Sequence, residues 1–317
     1  MTTPRMHHYV PETYQYGFLT PDNKKIAFYD MRTGNSNKTN PLNLVKERDL
    51  YTMDVPPEGR KATFIENPIL SYVDGTYARL LEKVIEKNIS DEVRQELSVF
   101  LGYLRSRTPS YFKAIEGVSR DHLAKEIYEG IIKDPLKLKE ALAADFDVSS
   151  VEAFTAQAEK LLSIEKDGVL SIFLGVAEST AKLIFESGWE VLIASSGAFI
   201  TSDHPFCPIE DEYVFVGQGR RETKRYFMVP LSSKLALRIS GSHQGVNFTN
   251  LSMEEVAEIN EAVAYCADRW LLGESEESLK AAHQKAVKLR NAEDKMSRAI
   301  KVIEAMTGRP QARGENG

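Results

Sequence analysis

RMHHYVPETYQYGF, from Arg5 to Phe18, brings two adjacent histidines into the first turns of the chain. Imidazoles titrate near neutral pH and can move protons or ligate a metal. In an extended segment successive side chains point to opposite faces, so His7 and His8 do not chelate one ion together. One faces a pocket while the other packs or bonds to backbone, and both are equally open to a structural explanation. A second group with chemical potential is the knot GRRETKRYF, which holds Arg220, Arg221, Lys224 and Arg225 and can grip phosphates or simply solvate a hairpin. Cys207 and Cys266 stand far apart outside any CxxC pairing, so neither a disulfide framework nor a thiolate zinc site is expected.

The elements that must position these groups follow from the pattern. FLTPDNKKIAFYDMRTG reads as two short strands with Pro21, Asp22 and Asn23 as the turn, and Gly34 to Pro57 reads as a long polar loop carrying KERDLY. Asn67-Pro68 opens a helix whose Ile69, Leu70, Val73, Tyr77, Leu80, Leu81, Val84 and Ile85 recur at helical spacing up to Lys87. Ser90 caps a second helix that ends at Arg105 to Pro109. Further helices are expected over Arg120 to Ile132, Pro135 to Ala144, Ser150 to Ile164 and Val169 to Ser187, the last two separated by Lys166, Asp167 and Gly168. WEVLIASSGAFITSDHPF then predicts two strands about a Ser-Ser-Gly turn, and KRYFMVPLSSKLALRIS two more about Pro230 and Leu231. A capping box at Ser252 to Glu255 opens a helix to about Trp270. A last amphipathic helix, Glu276 to Met306, carries an alanine-rich stripe including Ala282 and Ala286 that packs or receives a partner helix.

The expected architecture is α+β. An antiparallel sheet forms from the N-terminal hairpin and residues 188–240, beside a large helical middle section and two C-terminal helices. One domain spans 1–307, divided into hairpin and loop (1–63), helices (64–187), sheet (188–240) and helices (252–306), with 308–317 a disordered tail. The chain has 317 residues, 42% of them hydrophobic and 27% charged, which excludes disorder and suffices for a sizeable core. No apolar run is long enough to cross a bilayer and Met1 to Pro11 lacks a signal-peptide core, so no membrane contact and a cytoplasmic location are expected. The net charge is −6, yet from Lys280 onward nine Lys or Arg face four Asp or Glu, which leaves the body acidic and the C-terminal helix basic.

HHYVP, the Tyr at 14 and Phe at 18, a hairpin, KERDLY, an acidic residue before a helix, Arg-x-Pro, and TSDHP after a strand together resemble a bacterial family of unknown function whose hallmark is an N-terminal His-His-Tyr-Val-Pro motif. The resemblance runs from His7 to about Trp270 and implies no established chemistry; it does imply a link to phage defence, with which some members are associated. Its recurrent positions fall here on His7, His8, Tyr9, Pro11, Glu47, Arg48, Tyr51, Glu66, Arg107, Pro109, Ser202, Asp203, Pro205 and Asn260. The sequence departs from the pattern at Thr13 and His204.

Each of these has an ordinary explanation. Arg107 complements a helix dipole, Asp203 caps a turn, and Glu66 favours a helix start. Asn260 is harder to dismiss, because mid-helix Asn competes with its own backbone. Together, imidazoles, carboxylates, an arginine and a carboxamide are the ingredients for cleaving a phosphodiester: His as acid or base, Arg against developing charge, Asp or Glu orienting the His or holding a divalent ion. The resulting expectation is a nuclease, with His7, His8, Glu66, Arg107 and Asp203 catalytic and converging in one concave site. Arg48, Asn260 and the basic knot bind substrate, and Asp203 and Glu66 are the candidates for Mg²⁺ or Mn²⁺. Two other readings remain beside it: a non-catalytic module binding nucleic acid or protein, in which the same residues form a structural polar network, and hydrolysis of a free nucleotide. The basic C-terminal helix is expected to assist nucleic-acid binding, oligomerisation or partner association.

Overall fold

The computed structural model describes residues 6–22, 24–158, 165–216, 220–241 and 245–292, with side chains omitted at 210–216, 220–225 and 289–292. From the N-terminus the chain forms β1 (Met6–His8), α1 (Glu12–Gln15), β2 (Ile26–Asp30), β3 (Ser36–Thr39) and β4 (Lys46–Arg48). β1 pairs antiparallel with β4, placing His7 opposite Glu47 and His8 opposite Lys46. The hairpin is β2 with β3, so its turn follows Asp30 and does not lie at Pro21 to Asn23. The Asp30 carboxylate accepts the Arg32 N–H at 3.0 Å and its carbonyl accepts the Gly34 N–H at 2.8 Å. Gly34 completes the turn at φ +75°, a backbone conformation suited to glycine. The expected long loop after Gly34 thus supplies two strands. β3 reads SNKT and buries neither face, so it offers no apolar alternation to read.

A wide turn over Ile65–Leu70 leads into α2 (Ser71–Ile85), followed by α3 (Asp91–Ser106), α4 (Pro109–Lys133), α5 (Pro135–Ala143), α6 (Val151–Ala158) and α7 (Lys166–Glu186). The caps are local chemistry: Ser90 accepts the Val93 N–H, Thr108 the Tyr111 N–H and Asp134 the Leu136 N–H. Pro109 at the first turn of α4 stops α3 from continuing. Two boundaries differ from expectation. α4 begins well before Arg120, and Lys166 to Gly168 open α7 where a break was expected. α7 is long and apolar enough to cross a bilayer by length and composition. Its Leu170, Phe173, Ala177 and Ile184 instead enter the core against α3. There the helices nearly touch, since a Cβ on Gly102 would collide with the Ala177 carbonyl and come within 2.9 Å of Ala181 N.

The remaining elements are β5 (Gly188–Ala194), β6 (Thr201–Ser202), β7 (Cys207–Val216), β8 (Arg220–Pro230), β9 (Leu235–Ser240), β10 (Val246–Leu251), α8 (Met253–Cys266), β11 (Trp270–Gly273) and α9 (Glu276–Ala292). The chain is α+β with antiparallel sheets. One has the order β10-β5-β9-β8-β7, with only the β10–β5 pair parallel; the other has the order β3-β2-β11-β6. Residues 188–240 reach the N-terminal hairpin through β6, with β11 between them. The Ser-Ser-Gly turn therefore does not fold β5 back on β6 but passes the chain from one sheet to the other. The sheets share buried neighbours: Ala27 and Leu271 cluster with Leu192, Met228 and Ala236, and with Val256 and Val263 of α8. Tyr14 ties the N-terminal segment to this region, its hydroxyl donating to the Pro230 carbonyl at 2.5 Å and lying 2.9 Å from Thr201 Oγ1.

α8 opens on the expected capping box at Ser252 and Glu255, but it ends at Cys266, and Trp270 belongs to a strand. Ala282 and Ala286 of α9 are buried in the shared cluster, so this part of the stripe is a packing face. His283 packs its ring 4.9 Å from that of Tyr29. The helix beyond Ala292 and the tail at 308–317 lie outside the described residues. Cys207 and Cys266 form a disulfide with Cα atoms 5.8 Å apart, against the expectation of no such bond. A separation of 59 residues carries no spacing signal; the fold brings the start of β7 to the end of α8.

Candidate functional site

β1 delivers its two histidines to opposite sides, as strand alternation requires. His7 is buried, and its Nδ1 accepts the Tyr51 N–H at 3.0 Å, which holds the neutral ring's proton on Nε2. Its ring lies parallel to that of Tyr51 with centroids 5.5 Å apart. His8 turns the other way, with Nε2 3.2 Å from the Leu42 carbonyl. Burial pushes the His8 pKa down, and the bond to Leu42 only partly restores it. The strand that receives them is bracketed by Val45 at φ +46° and Asp49 at φ +53°, both left-handed conformations that cost a non-glycine residue.

Arg107 lies at the junction of α3 and α4 and is 1% exposed. Its Nη1 donates to Asp74 Oδ1 at 2.6 Å, its Nη2 to the His8 carbonyl at 2.6 Å, and its Nε more weakly to the Tyr51 hydroxyl at 3.4 Å. The Tyr51 hydroxyl donates in turn to the Arg107 carbonyl at 2.9 Å. Burial opposes the guanidinium charge, but Asp74 and Tyr51 outweigh it and leave the pKa raised. Asp74, on the edge of the α2 stripe one residue after buried Val73, was missed from sequence; an acidic residue beside a buried face is the signal that could have found it.

Glu66, in the turn before α2, feels both Arg107 and Asp74. Burial raises its pKa, and its Oε2 is enclosed with no hydrogen-bond partner. Asp203 lies elsewhere, after β6. Its Oδ1 accepts the Asp268 N–H at 3.0 Å and its Oδ2 those of Arg269 and Trp270 at 2.8 and 3.1 Å. Burial, then the neighbouring Asp268, push its pKa up to about 7 against the pull of these three donors. His204 sets Nδ1 3.4 Å from Ser110 Oγ, and burial lowers its pKa. The Tyr9 phenol links the two regions: burial raises its pKa most, followed by the charges of Asp203 and Glu47.

His7 and Arg107 thus meet at Tyr51, Arg107 also holds the His8 carbonyl and has Glu66 within electrostatic reach, while the Asp203 carboxylate is occupied by the turn before β11. Asn260 is buried and bridges one segment, accepting the Ile200 N–H at 2.9 Å and donating to the Ala198 carbonyl at 2.9 Å. Arg48 is exposed and pairs with Asp49 at 3.3 Å. Arg220, Arg221, Lys224 and Arg225 lie on β8, where Lys224 and Arg225 are in register with Asp211 and Glu210; their side chains are outside the described residues. A pair unseen in the sequence joins Arg269 to Asp30, with Nε and Nη2 at 3.2 and 2.8 Å from the two carboxylate oxygens. Among the described residues no three His, Cys, Asp or Glu side chains gather as a metal ion would require.

The geometry is that of an α+β protein in which Arg107, Asp74, Tyr51, His7 and the His8 carbonyl are joined by buried polar contacts. The chain belongs to the family described as protein of unknown function (DUF4238), matched over residues 6–277. No curated protein and no solved structure matches it.

Proposed function

We propose that the chain is a non-catalytic binding module in which the motif residues form a structural clasp that fixes the N-terminal strand. One observation carries this reading: the Arg107 guanidinium, the group a cleaved phosphate would need, is enclosed and directed at Asp74, the His8 carbonyl and Tyr51. Asp203 and Asn260 are likewise satisfied by backbone groups. Nucleic acid is the proposed partner, bound in the cytoplasm through the basic residues of β8 and the basic C-terminal segment, and a place in phage defence accords with the His-His-Tyr-Val-Pro resemblance.

A second reading, phosphodiester cleavage, draws on Glu66, whose raised pKa and unpartnered Oε2 suit a general acid. Purified full chain incubated with RNA and DNA, with and without Mg²⁺ or Mn²⁺, separates the two. The module reading expects binding that weakens steeply with salt and no cleavage. Cleavage lost in Glu66→Gln at an unchanged melting temperature would replace it with the enzymatic one, and neither binding nor cleavage would overturn both.

A further inference from the structure

A cavity of about 130 Å³ opens between α3, α7 and the five-stranded sheet. Arg105, Thr180, Leu183, Phe206, Phe227 and Ile239 are among its walls, and Gly241 lies on its lining. The Arg105 guanidinium carbon sits 5.1, 5.5 and 5.7 Å from the ring centres of Phe227, Phe206 and Tyr111. Among the described residues its hydrogen bond is one long contact, from Nη1 to Thr180 Oγ1 at 3.4 Å. Among the described residues no carboxylate pairs with it, whereas Arg107, Arg238 and Arg269 each meet one at 2.6 to 2.8 Å. Burial lowers the Arg105 pKa with only Tyr111 pulling it back, as a cation short of a counter-charge should behave.

The rest of the lining is chiefly apolar, and this selects the occupant. An inorganic anion would answer the charge and leave the aromatic walls wet, while a plain hydrocarbon would fill the walls and leave the guanidinium unpaired. The far end of the cavity does not compete for the anion. There the C-terminal carbonyls of α7 already receive Arg94, which donates from Nε to Phe185 at 3.1 Å and from Nη2 to Ser187. We propose that the cavity binds a small apolar monocarboxylate, its carboxylate on Arg105 and Thr180 and its hydrocarbon among Leu183, Phe206, Phe227 and Ile239. The volume is close to that of an engineered cavity of ~150 Å³ that holds benzene, which limits the body to a ring or chain of about six carbons. The inference is independent of the clasp around Arg107.

Calorimetric titration and melting of the full chain with benzoate test it, with benzyl alcohol and inorganic phosphate as probes that each lack one half of the recognition. Benzoate should bind one to one and raise the melting temperature, with both controls about tenfold weaker or worse, because a charge-assisted hydrogen bond contributes roughly 1.5–3 kcal/mol. Arg105→Gln should bring benzoate down to the level of benzyl alcohol. Should that variant not fold, Thr180→Val serves in its place, since it removes the other polar group the proposal assigns to the carboxylate while keeping the side chain's shape. It should weaken benzoate by about tenfold at a melting temperature of the free protein close to wild type. No binding of benzoate up to roughly 10 mM, phosphate binding as tightly as benzoate, or benzoate binding left unchanged by both substitutions would each overturn the proposal.

Discussion

Arg107 grips His8 by its main chain: Nη2 meets the His8 carbonyl at 2.6 Å across 99 residues of sequence. The imidazole of His8 is engaged elsewhere, with the Leu42 carbonyl. The His7-His8 dipeptide is thus held at three points: its backbone by Arg107, one ring by Tyr51 and the other by the Leu42 carbonyl. Such an arrangement fixes a strand end.

Arg107→Ala should cost about 3–5 kcal/mol, since it leaves Asp74 with an unpaired charge and the His8 carbonyl without its donor. Arg107→Lys should recover only part, because an ammonium group cannot reproduce the planar fork. Urea unfolding measures both, and a midpoint within error of wild type for the alanine variant would refute the clasp.

Asp203 has a pKa of about 7 in the folded chain against roughly 3.9 for an unperturbed aspartate. The folded protein therefore keeps a proton that the unfolded chain has released between those values. The contribution of this carboxyl is full below about pH 4 and is lost as pH rises towards 7. Asp203→Asn sets an amide NH₂ against backbone N–H donors and should destabilise at every pH. Its deficit relative to wild type should narrow as pH rises from about 4 to about 7. Paired melting curves across that window check the sign, and a widening gap would contradict it.

Asn260→Ala strips partners from the Ile200 N–H and the Ala198 carbonyl together. A loss of about 1–3 kcal/mol is expected. Hydrogen exchange at Ile200 should quicken more than exchange within α3, and uniform protection across both would show that Asn260 does not pin this segment.

Gly102→Ala tests the closest helix contact. The new methyl has nowhere to go between α3 and the Ala177 carbonyl, so overpacking of roughly 1–3 kcal/mol or more should appear as a lower melting temperature. Gly75→Ala is the control: its Cβ meets nothing within 4 Å, and replacing glycine inside a helix should leave stability unchanged or raise it by up to about 1 kcal/mol.

Much of the helical framework was readable because its signals are local. The α2 stripe is buried at Val73, Tyr77, Leu80 and Val84 as its spacing predicts, though Ile85 at its end is exposed, and the box at Ser252 opens α8 where expected. β8 and β9 form about the Pro230-Leu231 region as their pattern indicated, with Pro230 the last residue of β8. Polar strands were not readable, because β3 and β4 earn their place through backbone pairing and carry no apolar alternation. Partnerships made by the tertiary fold were also hidden. Nothing near Arg107 in sequence points to Asp74, nothing near Asp30 to Arg269, and nothing in the cysteine spacing to a bond between Cys207 and Cys266.

Tyr14 bonds to Thr201 and Pro230, 187 and 216 residues further along the chain. A ribosome makes the phenol long before either acceptor, and at about 5–20 residues per second the wait is on the order of 10–40 s. Throughout that interval the Tyr14 phenol, fully buried in the finished protein, lacks both acceptors, while the rings of Tyr77 and Phe100 that pack against it are already made. The nascent segment therefore waits with its phenol unsatisfied until the end of β8 has been made, and slowing elongation before codon 230 should lengthen that wait.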